Sequence, residues 1–343
     1  MDFRIIWFIL WGGLWTVYFM LDGFDFGVCI LYRFIGKNEQ EKSVMINTIG
    51  PVWDGNEVWL ITAGAATFAA FPTTYALMFS YLYSVVLLIL FSLIFRGAAI
   101  EFREKVDGAG WKKGWDIALS VGSFFTSVLF GIAVGNVFEG LPMDASGYHG
   151  TLLSLLNPYG LFAGLLFLLL FLLHGSLWLT LKTPETLNER AAGMANKLWY
   201  ILLCAAAGFV VYTGFATDLY AHYLDNYILG VVPALAALSL ACIKYFVTRR
   251  QYASAFYSSC LTIVMVALTG LIGLYPDLLP SSIDAGYSLT IFNSSSSAYT
   301  LKIMTIVVLI FLPVVIACQI WIYKVFRRKI TTDDRAEQGI SYR

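Results

Sequence analysis

The sequence predicts an all-α integral membrane protein, a single polytopic domain over residues 1–343 with about nine transmembrane helices, its N-terminus outside and its C-terminus in the cytoplasm. Three observations predict it. Of the 343 residues, 59% are hydrophobic and only 13% charged, whereas a soluble domain carries roughly a quarter charged residues. Apolar runs near the ~20 residues needed to cross a bilayer recur from end to end, which leaves no stretch for a soluble catalytic domain. Finally, 20 of the 22 lysines and arginines fall in alternate connections between those runs, the asymmetry that the positive-inside rule describes.

Apolar runs bounded by charges or by Pro and Gly clusters place the elements in order. Helix 1 covers 5–32. It lacks the basic leader and small-residue cleavage site of a signal peptide, so it is expected to be retained and the mature chain to begin near Met1. Arg33, Lys37 and Lys42 separate it from helix 2 over 52–71, and helix 3 follows over 73–95. Arg96, Arg103, Lys105, Lys112 and Lys113 lead to helix 4 over 116–138. A connection rich in Gly, Ser, Asp and Pro precedes helix 5 over 159–181. The polar break at 182–197, with Lys182, Arg190 and Lys197, precedes helix 6 over 198–217. Helices 7 and 8, over 227–247 and 255–275, are separated by Lys244, Arg249 and Arg250. Helix 9 covers 301–325 and is followed by Lys324, Arg327, Arg328, Lys329, Arg335 and Arg343. Only Arg4 and Lys302 fall on the opposite side. The break at 182–197 follows helix 5, with four helices before that helix and four after it; helices 1–4 (about 5–138) and helices 5–8 (about 159–275) are expected as two four-helix bundles with helix 9 peripheral. Trp7, Trp11, Trp111, Trp115, Trp199, Trp321 and Tyr323 fall near expected helix ends, where amphipathic rings favour the membrane interface.

Ionisable groups inside such runs are informative, because a membrane carboxylate is costly unless paired, wet or protonated. Asp22 and Asp25 stand three residues apart on one face of helix 1. Asp22 precedes Arg33 by eleven residues, so at 1.5 Å per residue it lies roughly 16 Å into the helix. Asp54 and Glu57, flanked by Trp53 and Trp59, repeat the spacing at the start of helix 2. A bland reading makes this second pair a helix N-terminus favoured by the dipole, with Pro51 in the first turn. The other reading has Asp54 and Glu57 partly buried and all four carboxyls gathered by the packing of helices 1 and 2 into a group that exchanges protons with the cytoplasm. For Asp22 and Asp25 the bland reading is a hydrogen-bonded helix interface, with Gly23 and Gly27 permitting close packing.

Metal or redox chemistry of the chain's own finds little support. His149 and His222 fall near outside connections, and His174, inside helix 5, reads more readily as a helix-packing residue than as a haem ligand. Cys29, Cys204, Cys242, Cys260 and Cys318 stand singly in or at the ends of apolar helices, as small core residues rather than a disulfide or zinc framework. No nucleotide-binding loop, nucleophile triad or metal-ligand spacing stands out, and nothing points to nucleic acid.

The segments Asp22-Gly23-Phe24-Asp25-Phe26-Gly27 and Met45-Ile46-Asn47, followed by the run from Gly50-Pro51-Val52-Trp53-Asp54-Gly55-Asn56-Glu57 to Gly64, together resemble the signature of subunit II of cytochrome bd-type quinol oxidases. Ser92-Leu93-Ile94-Phe95-Arg96, Gly135-Asn136 and Leu156-Asn157-Pro158-Tyr159-Gly160-Leu161 extend the resemblance, while residues 200–343 share only length and topology with it. It implies a bacterial or archaeal cytoplasmic-membrane complex, a terminal respiratory oxidase that takes electrons from quinol and reduces dioxygen to water. The partner, subunit I, would form a heterodimer with this chain and hold haem b and haem d, and a small single-helix subunit is compatible with the family. This chain would bind no cofactor itself and would draw protons from the cytoplasm through Asp25 and Asp54, with Asp22 and Glu57 as neighbours. The family varies between Gln and Glu at the position of Glu57. Two other classes stand beside this one: a secondary transporter, which predicts deep acids in both halves of the chain, and an assembly subunit whose acids only satisfy interface hydrogen bonds.

Overall fold

The computed structural model describes residues 2–330; Met1, Arg335 and Arg343 lie outside the described residues. It is helical from end to end. Helix α1 (Phe3–Ile35) is followed by a short α2 (Glu39–Ile49), then α3 (Trp53–Ala70), α4 (Pro72–Tyr81), α5 (Tyr83–Phe102) and α6 (Ala109–Glu139). The second part holds α7 (Leu152–Leu155), α8 (Pro158–Lys182), α9 (Glu185–Ala216), α10 (Ala221–Asp225), α11 (Val231–Thr248), α12 (Tyr252–Leu274) and α13 (Ala298–Val325). Eight of the described helices are long and apolar enough to cross a membrane. The remaining expected span, α3, has 18 residues, but its opening Asp54, Asn56 and Glu57 keep it from reading as an apolar run.

Several expected boundaries move for local reasons. Residues 39–49 form a helix rather than a loop, started by Asn38, whose side chain accepts from the Glu41 backbone N–H, and carrying Glu39 and Glu41 in its first turn. Pro51 sits in the turn before α3 rather than in its first turn, and Val52 caps without a side-chain hydrogen bond. The expected helix 3 is α4 and α5, interrupted at Leu82. The polar break at 182–197 is mostly helical: only Thr183 and Pro184 interrupt the chain before α9 resumes as a 32-residue helix. The polar run there is the first turns of a long helix.

Helix α1 is the centre of the molecule and packs on α3, α6, α8 and α12, while α5 packs on α6, α8 on α6 and α9, and α11 on α12. The crossing of α1 and α8 is close enough that a Cβ on Gly27 would collide with the Phe171 carbonyl oxygen and one on Gly175 with the Val28 backbone nitrogen, the small-residue contact that lets helices approach in a membrane. Helix α13 lies on α1 and α3, and Leu301 is its one buried residue. Cys29 alone of the five cysteines is buried; Cys204 and Cys318 are exposed and Cys242 and Cys260 half-buried. The expectation that all five are core residues of this chain fails, because a long apolar helix presents small residues on its outer side as well as its inner one.

At the end of the molecule opposite Arg33, the two longest connections pair with each other. Strands β1 (Met143–Asp144) and β2 (Gly147–Tyr148) form one hairpin, and β3 (Asp277–Leu279) and β4 (Leu289–Thr290) the other. Leu141 donates its N–H to the Pro280 carbonyl and accepts from Ser282, and Ser281 Oγ donates to the Met143 carbonyl at 2.6 Å.

Candidate functional site

The deepest charged residues meet where α1, α3, α5 and α13 converge. Helical spacing aims Asp22 and Asp25 from α1 into this point, and both side chains are fully buried. Arg96, from α5, answers Asp22: Nη2 donates to Oδ1 at 2.6 Å and Nη1 to Oδ2 at 3.1 Å, a bidentate pair. Its guanidinium stacks 4.5 Å from the centre of the Phe26 ring and stands 3.8 Å from Asp25 Oδ2. A buried guanidinium matched by two hydrogen bonds and an aromatic face is far less costly than one left alone.

Asn56, also fully buried, organises the other side. Its amide Nδ2 donates to Asp25 Oδ2 at 2.8 Å and to the Leu21 carbonyl at 3.2 Å. Its Oδ1 accepts from Tyr323 OH at 2.8 Å and from Gln319 Nε2 at 3.0 Å. One side chain on α3 thus ties α1 to α13 with its whole hydrogen-bonding capacity. Asp25 Oδ1 is the oxygen left without a protein partner.

The structure brings together Asp22 and Asp25 of the expected four carboxyls. Glu57 is half-buried and within electrostatic reach of Arg96, Asp22 and Asp54. Asp54 is exposed, contrary to the expectation of partial burial, because the helical turn from Asn56 back to Asp54 points it away from α1. Sequence reasoning missed Arg96 and Asn56. Arg96 closes an apolar run and reads as a loop charge, and Arg103 and Lys182 read the same way, yet all three are buried. The signal available for Arg96 was its pair of carboxyls: a cation is one of the partners that acids inside a membrane call for.

A second ionic group lies at the Arg33 end. Asp116, on α6, accepts from Tyr32 OH at 2.5 Å, from Arg103 Nε at 2.6 Å and from Lys42 Nζ at 3.0 Å. Arg103 also bonds Glu39 at 2.5 Å and Glu104. Burial pushes the Glu39 carboxyl up, but hydrogen bonds from Lys42 and Arg103 outweigh it and hold it below the usual range. Glu41 is held low chiefly by its hydrogen bond from Arg190.

His174, the histidine expected inside a span, offers no free nitrogen to a haem. His174 is buried, with Nδ1 engaged by Ser259 Oγ at 2.7 Å and Nε2 by the Met20 carbonyl at 3.0 Å, so neither ring nitrogen is free. His149 bonds Ser146 and Asp144 in the first hairpin, and His222 bonds the Tyr275 carbonyl. No group of three His, Cys, Asp or Glu side chains suited to a metal occurs among the described residues.

With this geometry in view, the similarities of the chain are informative. The sequence matches the family described as cytochrome bd terminal oxidase subunit II over residues 3–326. It is 38% identical over 327 residues to the cytochrome bd ubiquinol oxidase subunit 2 of Bacillus subtilis (strain 168), covering 95% of this chain and 96% of that one. It is 34% identical over 364 residues to the cytochrome bd-I ubiquinol oxidase subunit 2 of Escherichia coli (strain K12), covering 96% of each. In fold it is similar to a chain of the bd oxidase from Geobacillus thermodenitrificans, with a TM-score of 0.78, 16% identity, and coverage of 95% of this chain and 99% of that one.

Proposed function

Because the chain belongs to the cytochrome bd terminal oxidase subunit II family, we propose that, within the quinol oxidase of which it is a subunit, it delivers protons from the cytoplasm toward the site of oxygen reduction. The complex is a terminal respiratory oxidase, and membership of the family implies subunit I as partner and haems within the assembly. We assign the haems b and d to subunit I, since His174, the histidine within a span, has both ring nitrogens engaged. When bound there, they supply the electron transfer and oxygen chemistry. A small single-helix subunit fits the family as a third component.

The observation that carries the proposal is the pairing of two buried carboxyls with one guanidinium. Asp22 and Arg96 neutralise each other. Asp25, held by Asn56 through Oδ2 and unbonded at Oδ1, is the group at which a single proton completes the balance of charge. Oδ1 is then the atom that takes and releases it. Asp54, exposed in the isolated chain, serves as the intake, with Glu57 between it and Asp22. In this reading α3 is the ninth span, the N-terminus is outside and the C-terminus cytoplasmic, in a bacterial or archaeal cytoplasmic membrane. Helices α1 and α3–α6 form one four-span bundle, α8, α9, α11 and α12 the second, and α13 lies at the periphery. Protons consumed inside and released outside by quinol would build a proton-motive force without a pump.

A transporter reading is not favoured, because no acid from α8 to α13 is buried among the described side chains. The experiment is quinol-dependent oxygen uptake by the two-subunit complex carrying Asp54→Asn or Asp25→Asn. Uptake is expected to collapse in Asp25→Asn and to fall in Asp54→Asn, while the haem spectrum persists. Unchanged uptake in both variants leaves only a structural role for these acids.

A further inference from the structure

The seam between α1, α5 and α6 carries more polar side chains than the site above uses. On α1, Asp25, Cys29 and Tyr32 follow one another at three- and four-residue steps toward the Arg33 end; on α6, Asp116, Ser120, Ser123 and Thr126 do the same in the opposite direction. The two rows meet. Tyr32 donates to Asp116, and Ser120 Oγ donates to the Cys29 carbonyl at 3.0 Å. Arg96 stands beside the upper part, on Asp22.

Every member of these rows is buried, yet several of their polar atoms have no protein partner: Asp25 Oδ1, Arg96 Nε, Ser123 Oγ and Thr126 Oγ1, with the hydroxyl of Tyr18 one helical turn above Asp22. Tyr18 neighbours Asp22 and Ser123 neighbours Cys29, but neither reaches hydrogen-bond geometry. Only two other buried side-chain atoms among the described residues are left this way. Buried polar atoms that protein does not satisfy are ordinarily satisfied by ordered water, and such water needs several polar partners in one place. The clustering supplies them. At the lower end the row opens on a cleft of about 540 Å³ lined by Glu39, Lys42, Asp107, Lys112 and Asp116.

We propose that this seam is a water-filled proton intake, running from the cleft at Asp116 past Ser120 and Ser123 to Asp25, separate from the route through Asp54. A proton taken from solvent at the cleft is passed along hydrogen-bonded water, with Ser123 and Thr126 hydroxyls orienting the chain, and one proton arrives at Asp25 Oδ1. The proposal rests on the reading of Asp25 as a proton carrier.

The intact two-subunit complex tests it in two ways. Radiolytic hydroxyl-radical labelling marks side chains that touch trapped water even where bulk solvent does not reach. Tyr18 is expected to label several-fold faster than Tyr159, which is equally buried but hydrogen-bonded to Thr213; equal rates overturn the hydrated seam. Ser123→Ala and Thr126→Val remove hydroxyls without enlarging the side chain. Together they are expected to slow oxygen uptake several-fold with the haem spectrum unchanged, and to slow it further in an Asp54→Asn background. Normal uptake in both backgrounds removes the seam as an intake while a defect in Asp25→Asn would keep the delivery reading; normal uptake in Asp25→Asn removes both.

Discussion

Arg96 and Asp22 stand 74 residues apart in the chain and face each other through two parallel hydrogen bonds at 2.6 and 3.1 Å, buried from bulk solvent. This pair fixes α5 against α1, and the first expectation concerns breaking it.

Replacing one partner alone leaves a buried charge. Arg96→Leu is expected to cost about 3–5 kcal/mol, and Asp22→Leu a similar amount. The double variant Asp22→Leu with Arg96→Leu should be less destabilised than the sum of the two. Thermal unfolding of the purified complex, read as a double-mutant cycle, measures the coupling.

Asn56→Leu strands Asp25 Oδ2, the Tyr323 hydroxyl and the Gln319 amide together. Each buried group left unsatisfied costs about 1–3 kcal/mol. Tyr323→Phe removes one donor to the same oxygen and should cost less than Asn56→Leu. The ordering of the two melting temperatures checks this, and equal values would show that Asn56 does not organise the site.

The glycines of the α1 and α8 crossing are expected to be intolerant of any side chain. Gly27→Ala and Gly175→Ala should each destabilise by about 1–3 kcal/mol or more, because the atoms they would meet are backbone. Gly193, inside α9, meets nothing, and Gly193→Ala should gain up to about 1 kcal/mol from helix propensity. Yields of assembled complex from membranes, with melts, distinguish the three.

Glu41 gives a pH dependence with a definite sign. Its pair with Arg190 holds its carboxyl below the ordinary value, so its contribution is fully present above about pH 4.3 and is lost as pH falls through the lowered value. The pair is partly open to solvent, so Glu41→Gln should cost at most about 1 kcal/mol at neutral pH. The difference from wild type should shrink on acidification and with added salt. Melts at a series of pH values and salt concentrations test both.

Much of the fold was legible because the bilayer demands long apolar runs. The eight strongest helices could be read without tertiary information. What stayed hidden depends on context. Helix α2 was missed because Glu39, Glu41 and Lys42 look like loop residues until Asn38 is seen to cap them. Arg96 was taken for a loop charge because an arginine at the end of an apolar run looks alike whether it leaves the membrane or turns inward. The Asp22 and Asp25 pair could be found from spacing alone. Asn56 could not, since an uncharged amide carries no electrostatic warning in sequence. Asp54 was expected to be buried for its neighbouring tryptophans, of which only Trp59 is buried.

The links from Asn56 to Gln319 and Tyr323 span 263 and 267 residues. Chains leave the ribosome from the N-terminus onward, so α3 is made long before α13 exists. Until the last helix arrives, the amide oxygen beside Asp25 has neither of its donors. A nascent or truncated subunit therefore carries its acids in an unfinished setting, and the buried polar centre around Asp25 closes only when synthesis of the final helix is complete.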